Sequence, residues 1–190
     1  MDFDAIGKYM VPFDVDLDLN EGILKGYTNH TIRRASSMWH YYQDESALET
    51  SINNGDPIHY EVFEKTVPEE YGHLMMGVSK LYAGTVGQEF FMTKGHYHAV
   101  AQTGEVYLCL KGSGYLVMKT KDGDFFALPM ERGKVLYVPP YWAHRSVNTG
   151  TEPLISFFVY NAEAGHNYGD IETEGFSKRV FNQNGKTIFV

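Results

Sequence analysis

From residue 58 onward the chain is a succession of short apolar runs separated by turn residues, with no stretch between them that reads as a helix. The runs are HYEVFEK (59–65), HLMMGVSKLYA (73–83), QEFFMT (88–93), EVYLCLKG (105–112), GYLVMKT (114–120), DFFALPM (124–130) and KVLYVPP (134–140). SVNTG (146–150), LISFFVY (154–160), FSKRVFN (176–182) and KTIFV (186–190) complete the series. Each is short, rich in aromatic and branched residues, and bounded by Gly, Asn, Asp or Pro, which is the pattern of a strand. Lys121-Asp122-Gly123 carries the Asp-Gly pair of a tight hairpin turn, and Gly87, Gly112, Gly114, Gly133 and Gly150 mark further reversals. Strands recurring about every ten residues without helices between them predict an antiparallel sandwich or barrel. No repeat of solenoid length occurs.

The residues before 58 read differently. In FDVDLDL (13–19), Phe13, Val15, Leu17 and Leu19 alternate with aspartates, predicting a half-exposed strand. The spaced aspartates do not make a calcium loop, because its sixth position would be Leu19 instead of Gly and its twelfth Lys25 instead of Glu. HTIRRASSMWHYY (30–42) is aromatic and only partly periodic. Arg33 and Arg34 are able to meet an anionic ligand, but adjacent arginines are expected on a solvated surface. A short helix then begins with Asp44 or Ser46 as its N-cap and stops at Asn54-Gly55-Asp56-Pro57, where Gly accepts a left-handed backbone and Pro cannot continue the helix. The chain is expected to be one domain, with residues 1–57 as a strand-and-helix extension packed on a barrel of residues 58–190.

Composition agrees. Fourteen Tyr and 12 Phe among 190 residues favour strands over a helical bundle. The formal charge is −8 and no basic run is present, which disfavours nucleic acid as a partner. Cys109 is the sole cysteine, excludes an intrachain disulfide, and reads as a buried strand residue. No apolar run approaches the ~18 residues of a membrane helix. MDFDAIGKYM lacks the basic and apolar regions of a secretory signal, so a soluble, cytoplasmic protein is expected.

His96 and His98 are two residues apart, so on an extended strand both imidazoles project from one face. Glu105 follows at a distance that allows a turn and a return strand, on which Glu105, Tyr107 and Cys109 share a face. His144 arrives just after Pro139-Pro140, which stiffens its approach. Three imidazoles and a carboxylate suit a divalent first-row metal. His30, His40, His59 and His73 have no such spacing and are expected to be ordinary surface or core residues.

Gly95, His96, His98, Glu105 and Gly112 resemble the first motif of the cupins, and Gly133, Pro139, His144 and Asn148 the second. The Gly usual two residues after the Pro is Tyr141 here, so the turn before His144 is expected to differ. The strings TKGHYH, EVYLCLKG, YVPPYWAHRSVN and AGHNYGDI further resemble the cupin-type glucose-6-phosphate isomerases found in archaea and some bacteria. The resemblance implies an all-β cupin double-stranded β-helix, with short helical and strand elements at its N-terminus. It also implies a homodimer and one divalent metal per subunit (iron, manganese, nickel, zinc or cobalt). His96, His98, Glu105 and His144 would hold that metal. The implied reaction interconverts glucose 6-phosphate and fructose 6-phosphate, with Glu105, His166 and Tyr107 catalytic.

No phosphate-binding loop of the G-x-x-x-x-G-K-[ST] type occurs, and the resemblance implies that Tyr60, Ser79, Thr93 and the Gly95 amide take the phosphate. Tyr160 and Tyr168 would join Tyr107 and His166 around the sugar. Lys94 alternates with Thr93 and is expected to face outward. A cupin dioxygenase and a non-catalytic sugar-binding cupin are the alternative readings.

Overall fold

The computed structural model describes residues 5–6 and 9–190. Part of the N-terminal stretch read above against a secretory signal, residues 1–4 and 7–8, therefore lies outside the described residues. Two antiparallel sheets dominate. The larger has six strands in the order Val135–Val138, Glu105–Lys111, Leu154–Asn161, Leu74–Leu81, Ile58–Lys65 and Asn29–Arg34. The smaller orders Phe125–Glu131, Ser113–Lys119 and Ala143–Asn148. Bridges from Met92 to Val147 and from His96 to His144 extend it, and Tyr97–His98 pairs onward with His166–Asn167. One continuous buried cluster draws on both sheets, including Leu81, Cys109 and Leu154 from the first and Leu116, Met130 and Val147 from the second. Burial of this apolar surface between the sheets is the main stabilising term.

Register decides which side chains meet, because residues directly opposite in an antiparallel sheet share a face. Across the six-stranded sheet Arg33, Tyr60 and Leu81 form one row, and Thr31, Val62, Ser79 and Ser156 the next. Glu64, Gly77, Phe158 and Tyr107 follow, and then Tyr160 opposite Glu105. Gly77 has a steric reason: a Cβ there would lie 2.5 Å from the Phe158 ring and 2.6 Å from the Phe63 carbonyl. A larger residue would push Phe158 out of its row.

Several local expectations hold. The helix is Glu45–Asn53, with the Asp44 carboxylate accepting from the Ala47 N–H at 2.8 Å. Gly55 has φ +117° where the helix ends, and Cys109 is fully buried on its strand. Others do not. The strand expected over 13–19 reduces to Leu17–Asp18 paired with Ile23–Leu24, because the Asp18 carboxylate takes up the Asn20 and Glu21 N–H groups and turns the chain. QEFFMT is a strand only at Glu89–Phe90.

The 30–42 stretch contains a strand that its irregular pattern hid, Asn29–Arg34, and the six-stranded sheet continues through it to residues preceding 58. A second helix, Gly169–Glu174, interrupts the strand series. It is too short to show a helical period, and ion pairs from Lys121 to Asp170 (2.7 Å) and from Lys119 to Glu174 (3.3 Å) tie it down. Tyr141 holds φ +73°, so the left-handed turn that a Gly would supply is kept at some strain instead of being replaced.

Candidate active site

A cavity runs between the two sheets, and every site residue named from the sequence lines it except His98, which is buried behind the wall. At its inner end the donor atoms of His96, His98, Glu105 and His144 all lie within 4.8 Å of one another. His98 Nδ1 is 2.8 Å from the Thr103 hydroxyl oxygen and 3.1 Å from the Thr103 carbonyl. That hydroxyl donates to the Val100 carbonyl at 2.7 Å, so it accepts from the imidazole and the lone pair of His98 is left on Nε2. His98 Nε2 is 3.1 Å and His144 Nε2 2.9 Å from the same oxygen, Glu105 Oε2. The Nε2 atoms of His96 and His144 are buried without a hydrogen-bond partner. Converging lone pairs and a carboxylate oxygen repel one another unless a cation sits among them. This donor set fits one divalent ion.

Electrostatics favour the same protonation state. Burial alone would raise the Glu105 carboxyl, but the imidazoles of His144 and His98 outweigh it and hold the group well below the usual carboxylate range. Burial, followed by the neighbouring His144, drives the His96 imidazole far below its ordinary value. An ionised carboxylate and a neutral imidazole are what metal ligation requires. Burial and the adjacent Glu105 push the Tyr107 phenol far up, so it stays a neutral donor beside that carboxylate.

At the other end the donors come from three pieces of backbone. Tyr60 and Ser79 stand on the large sheet, and Thr93 and Gly95 on the segment leading to His96. The Ser79 hydroxyl is buried and unpartnered. Burial raises the Tyr60 phenol to about 12, and Arg33 hydrogen-bonds it. Arg33 lines this end as well, contrary to the expected surface placement, whereas Arg34 is exposed and donates to the Asp56 carbonyl at 3.0 Å. No carboxylate pairs with Arg33 or Lys94 among the described residues.

Lys94 also corrects the sequence reading. Thr93 N–H donates to the Ser146 carbonyl at 2.9 Å, and His96 and His144 exchange bonds of 3.2 and 3.1 Å. Lys94 and Gly95 thus both stand opposite the single residue Arg145, in a β-bulge whose Gly95 has φ +74°. The extra residue breaks the two-residue alternation, and Lys94 joins the cavity wall with Nζ 4.8 Å from the Tyr41 ring centre.

His166 and Tyr168 close the mouth, their rings stacked at 5.8 Å, with His166 4.4 Å from the His96 ring. The surrounding wall lowers the His166 pKa, so its imidazole is neutral near pH 7. The Tyr160 hydroxyl donates to Glu64 at 3.1 Å. Thr31, Arg33, Glu64 and Ser146 are polar wall residues that the motifs did not single out. One signal was available for Arg33: Ile32 is 41% exposed while Thr31 and Arg33 face in, an inverted alternation that marks a polar interior.

A family model described as glucose-6-phosphate isomerase (GPI) matches residues 32–189. The glucose-6-phosphate isomerase of Thermococcus litoralis is 46% identical over 181 residues, covering 95% of each chain. That of Pyrococcus abyssi is 47% identical over 182 residues, covering 96% of each. A putative glucose-6-phosphate isomerase 2 of Rhizobium meliloti is 36% identical, covering 89% of this chain and 85% of its own.

Proposed function

The chain belongs to the glucose-6-phosphate isomerase family, and we propose that it interconverts glucose 6-phosphate and fructose 6-phosphate along the length of this cavity. The phosphate lies among Arg33, Tyr60, Ser79, Thr93 and the Gly95 amide, and C1 and C2 lie beside Glu105. The observation that carries this reading is the polarity of the cavity. Four metal donors within 4.8 Å occupy one end, and an unneutralised Arg33 with a buried, unpartnered Ser79 hydroxyl occupies the other.

A divalent cation held by His96, His98, Glu105 and His144 would supply a Lewis acid for the negative charge that develops on the C1 and C2 oxygens. Iron, manganese, nickel, zinc and cobalt all accept this donor set. Glu105 Oε2 is the oxygen turned to the imidazoles, and a carboxylate held this far below its usual range is a weak base, so the hydrogen passes between C1 and C2 either by way of Oε1 or directly as a hydride. Tyr107 stays protonated and orients that carboxylate. His166 is a neutral imidazole at the mouth, placed to move the proton that opens the sugar ring, and Tyr160 and Tyr168 enclose the chain of hydroxyls.

We further assign the enzyme to the cytoplasm as a homodimer with one metal per subunit. Among the described residues no helix is long and apolar enough to cross a membrane. Exposed Val106, Val135 and Tyr137 on adjoining strands of the large sheet support pairing of two copies.

The test is an assay of chelator-stripped and metal-reloaded protein with fructose 6-phosphate. Glucose 6-phosphate should form only after reloading. Oxygen consumption with no isomerisation would mark a dioxygenase, and tight sugar-phosphate binding without turnover a non-catalytic binder.

A further inference from the structure

Arg145 follows the ligand His144 directly and precedes Ser146, yet it touches neither the metal donors nor the cavity. Its residue is only 5% exposed. One guanidinium nitrogen donates to the Lys94 carbonyl at 2.6 Å and another faces Met92 Sδ at 2.9 Å, while Nε is buried without a partner. The guanidinium carbon lies 4.2 Å from the Phe176 ring centre. The nearby carboxylate, Glu89, is engaged by Arg179 at 2.9 Å. An apolar side chain would fill this space without desolvating a charge. What an apolar side chain lacks is the donor aimed at Lys94.

From this geometry we infer that Arg145 is a positioning residue, which clamps the Lys94–Gly95 bulge so that the Gly95 N–H faces the substrate phosphate. No peptide bond among the described residues is cis, so the Lys94 carbonyl and the Gly95 N–H point in opposite directions. Holding the carbonyl against the buried guanidinium turns the N–H away from it, towards the cavity that Gly95 lines. The ladder between residues 93–96 and 144–146 does not take up that N–H.

Gly95 itself is pressed onto the clamp. A Cβ there would meet Arg145 Cβ and the Phe176 ring at 2.9 Å and the His144 carbonyl at 3.0 Å, and φ is +74°. The neighbouring hydroxyl is fixed by the same strand: Ser146 N–H donates to Thr93 Oγ1 at 3.0 Å, so the Thr93 proton is free for an anion. Arg145 therefore sets the spacing between the phosphate donors and the ligands His96 and His144 without contacting either group of atoms.

The inference rests on the placement of the phosphate proposed above, and the experiment separates the two. In metal-loaded enzyme, inorganic phosphate should inhibit wild type competitively with glucose 6-phosphate. Arg145→Met should raise both the inhibition constant for phosphate and KM by about tenfold, the loss expected for one charge-assisted hydrogen bond. Metal content per subunit and kcat should stay within about twofold, a split that a general loosening of the fold would not give. Arg145→Lys, which keeps one cationic donor, should fall between the two, and it decides the matter should Arg145→Met not fold. An unchanged phosphate constant and KM in either folded variant overturns the role of Arg145. Absence of competitive phosphate inhibition in wild type overturns the phosphate placement, and this inference with it.

Discussion

The two ends of the cavity are built on different terms. At the metal end every donor is a side chain on or beside a paired strand, and the four donor atoms lie within 4.8 Å. Thr103 fixes His98 from behind, and the imidazoles around Glu105 hold its carboxyl well below the usual carboxylate range. At the anion end the donors are two hydroxyls, a phenol, a backbone amide and two cations, brought together from strands 29–34, 58–65 and 74–81 and from the segment with the bulge. Their charges await a partner. On the placement proposed above, the first arrangement is complementary to charge that appears during reaction, and the second to charge the substrate already carries. Only the first accelerates the chemical step, while the second sets how tightly substrate is held.

The largest effect should follow from breaking the metal end. His144→Ala removes a fully buried member of the proposed ligand set, and kcat should fall on the order of a thousandfold or more together with bound metal, measured by metal analysis and steady-state kinetics. Glu105→Gln keeps the shape but removes the charge and should lose kcat comparably. A variant of either kind that kept its kcat while only KM rose would erase the distinction between the ends.

The anion end should respond in the other parameter. Arg33→Met retains most of the aliphatic stem and removes the guanidinium. KM for glucose 6-phosphate should rise roughly ten- to a hundredfold with kcat within about twofold. Arg33→Lys should recover part of the loss, since a point charge replaces a fork. Equal falls in kcat and kcat/KM would place Arg33 with the reacting atoms instead.

Legibility in the sequence follows the same division. The convergence of His96, His98, Glu105 and His144 was visible because strand geometry restricts spacing, and metal ligation, as proposed for them, restricts residue type. Most strands were visible because one face of each is apolar. Arg33 and Lys94 were not, for two physical reasons. A polar interior inverts the alternation that identifies a strand, as Ile32 outside and Arg33 inside illustrate. A bulge adds one residue, so Lys94 turns inward where simple alternation turns it out. The helix Gly169–Glu174 was missed because its six residues are held by Lys119 and Lys121 from a distant hairpin, a contact that no local pattern encodes.

The smallest effect on activity belongs to a histidine at neither end, and it sharpens the meaning of a buried imidazole here. His59 is fully buried like His144, and its Nε2 likewise has no partner. Among the described residues no carboxylate or second imidazole converges on it to form a donor cluster. Its ring stacks on Phe91 at 3.8 Å, and Nδ1 lies 3.0 Å from the Tyr42 hydroxyl. Burial lowers its pKa from 6.5 to about 4. Between those values the unfolded chain binds a proton that the folded one refuses, so stability falls as pH drops through 6.5 and levels off below about 4. From pH 7 to pH 5 this one group should cost about 2 kcal/mol. His59→Gln keeps an acceptor for Tyr42 but does not titrate. Its isomerase activity at pH 7 should match wild type, while urea unfolding at pH 7 and pH 5 should show a loss smaller by about that amount. A wild-type pH dependence unchanged by His59→Gln would remove His59 as its source. A large fall in activity at pH 7 would mean that burial alone, without converging donors, is enough to make an imidazole functional in this fold.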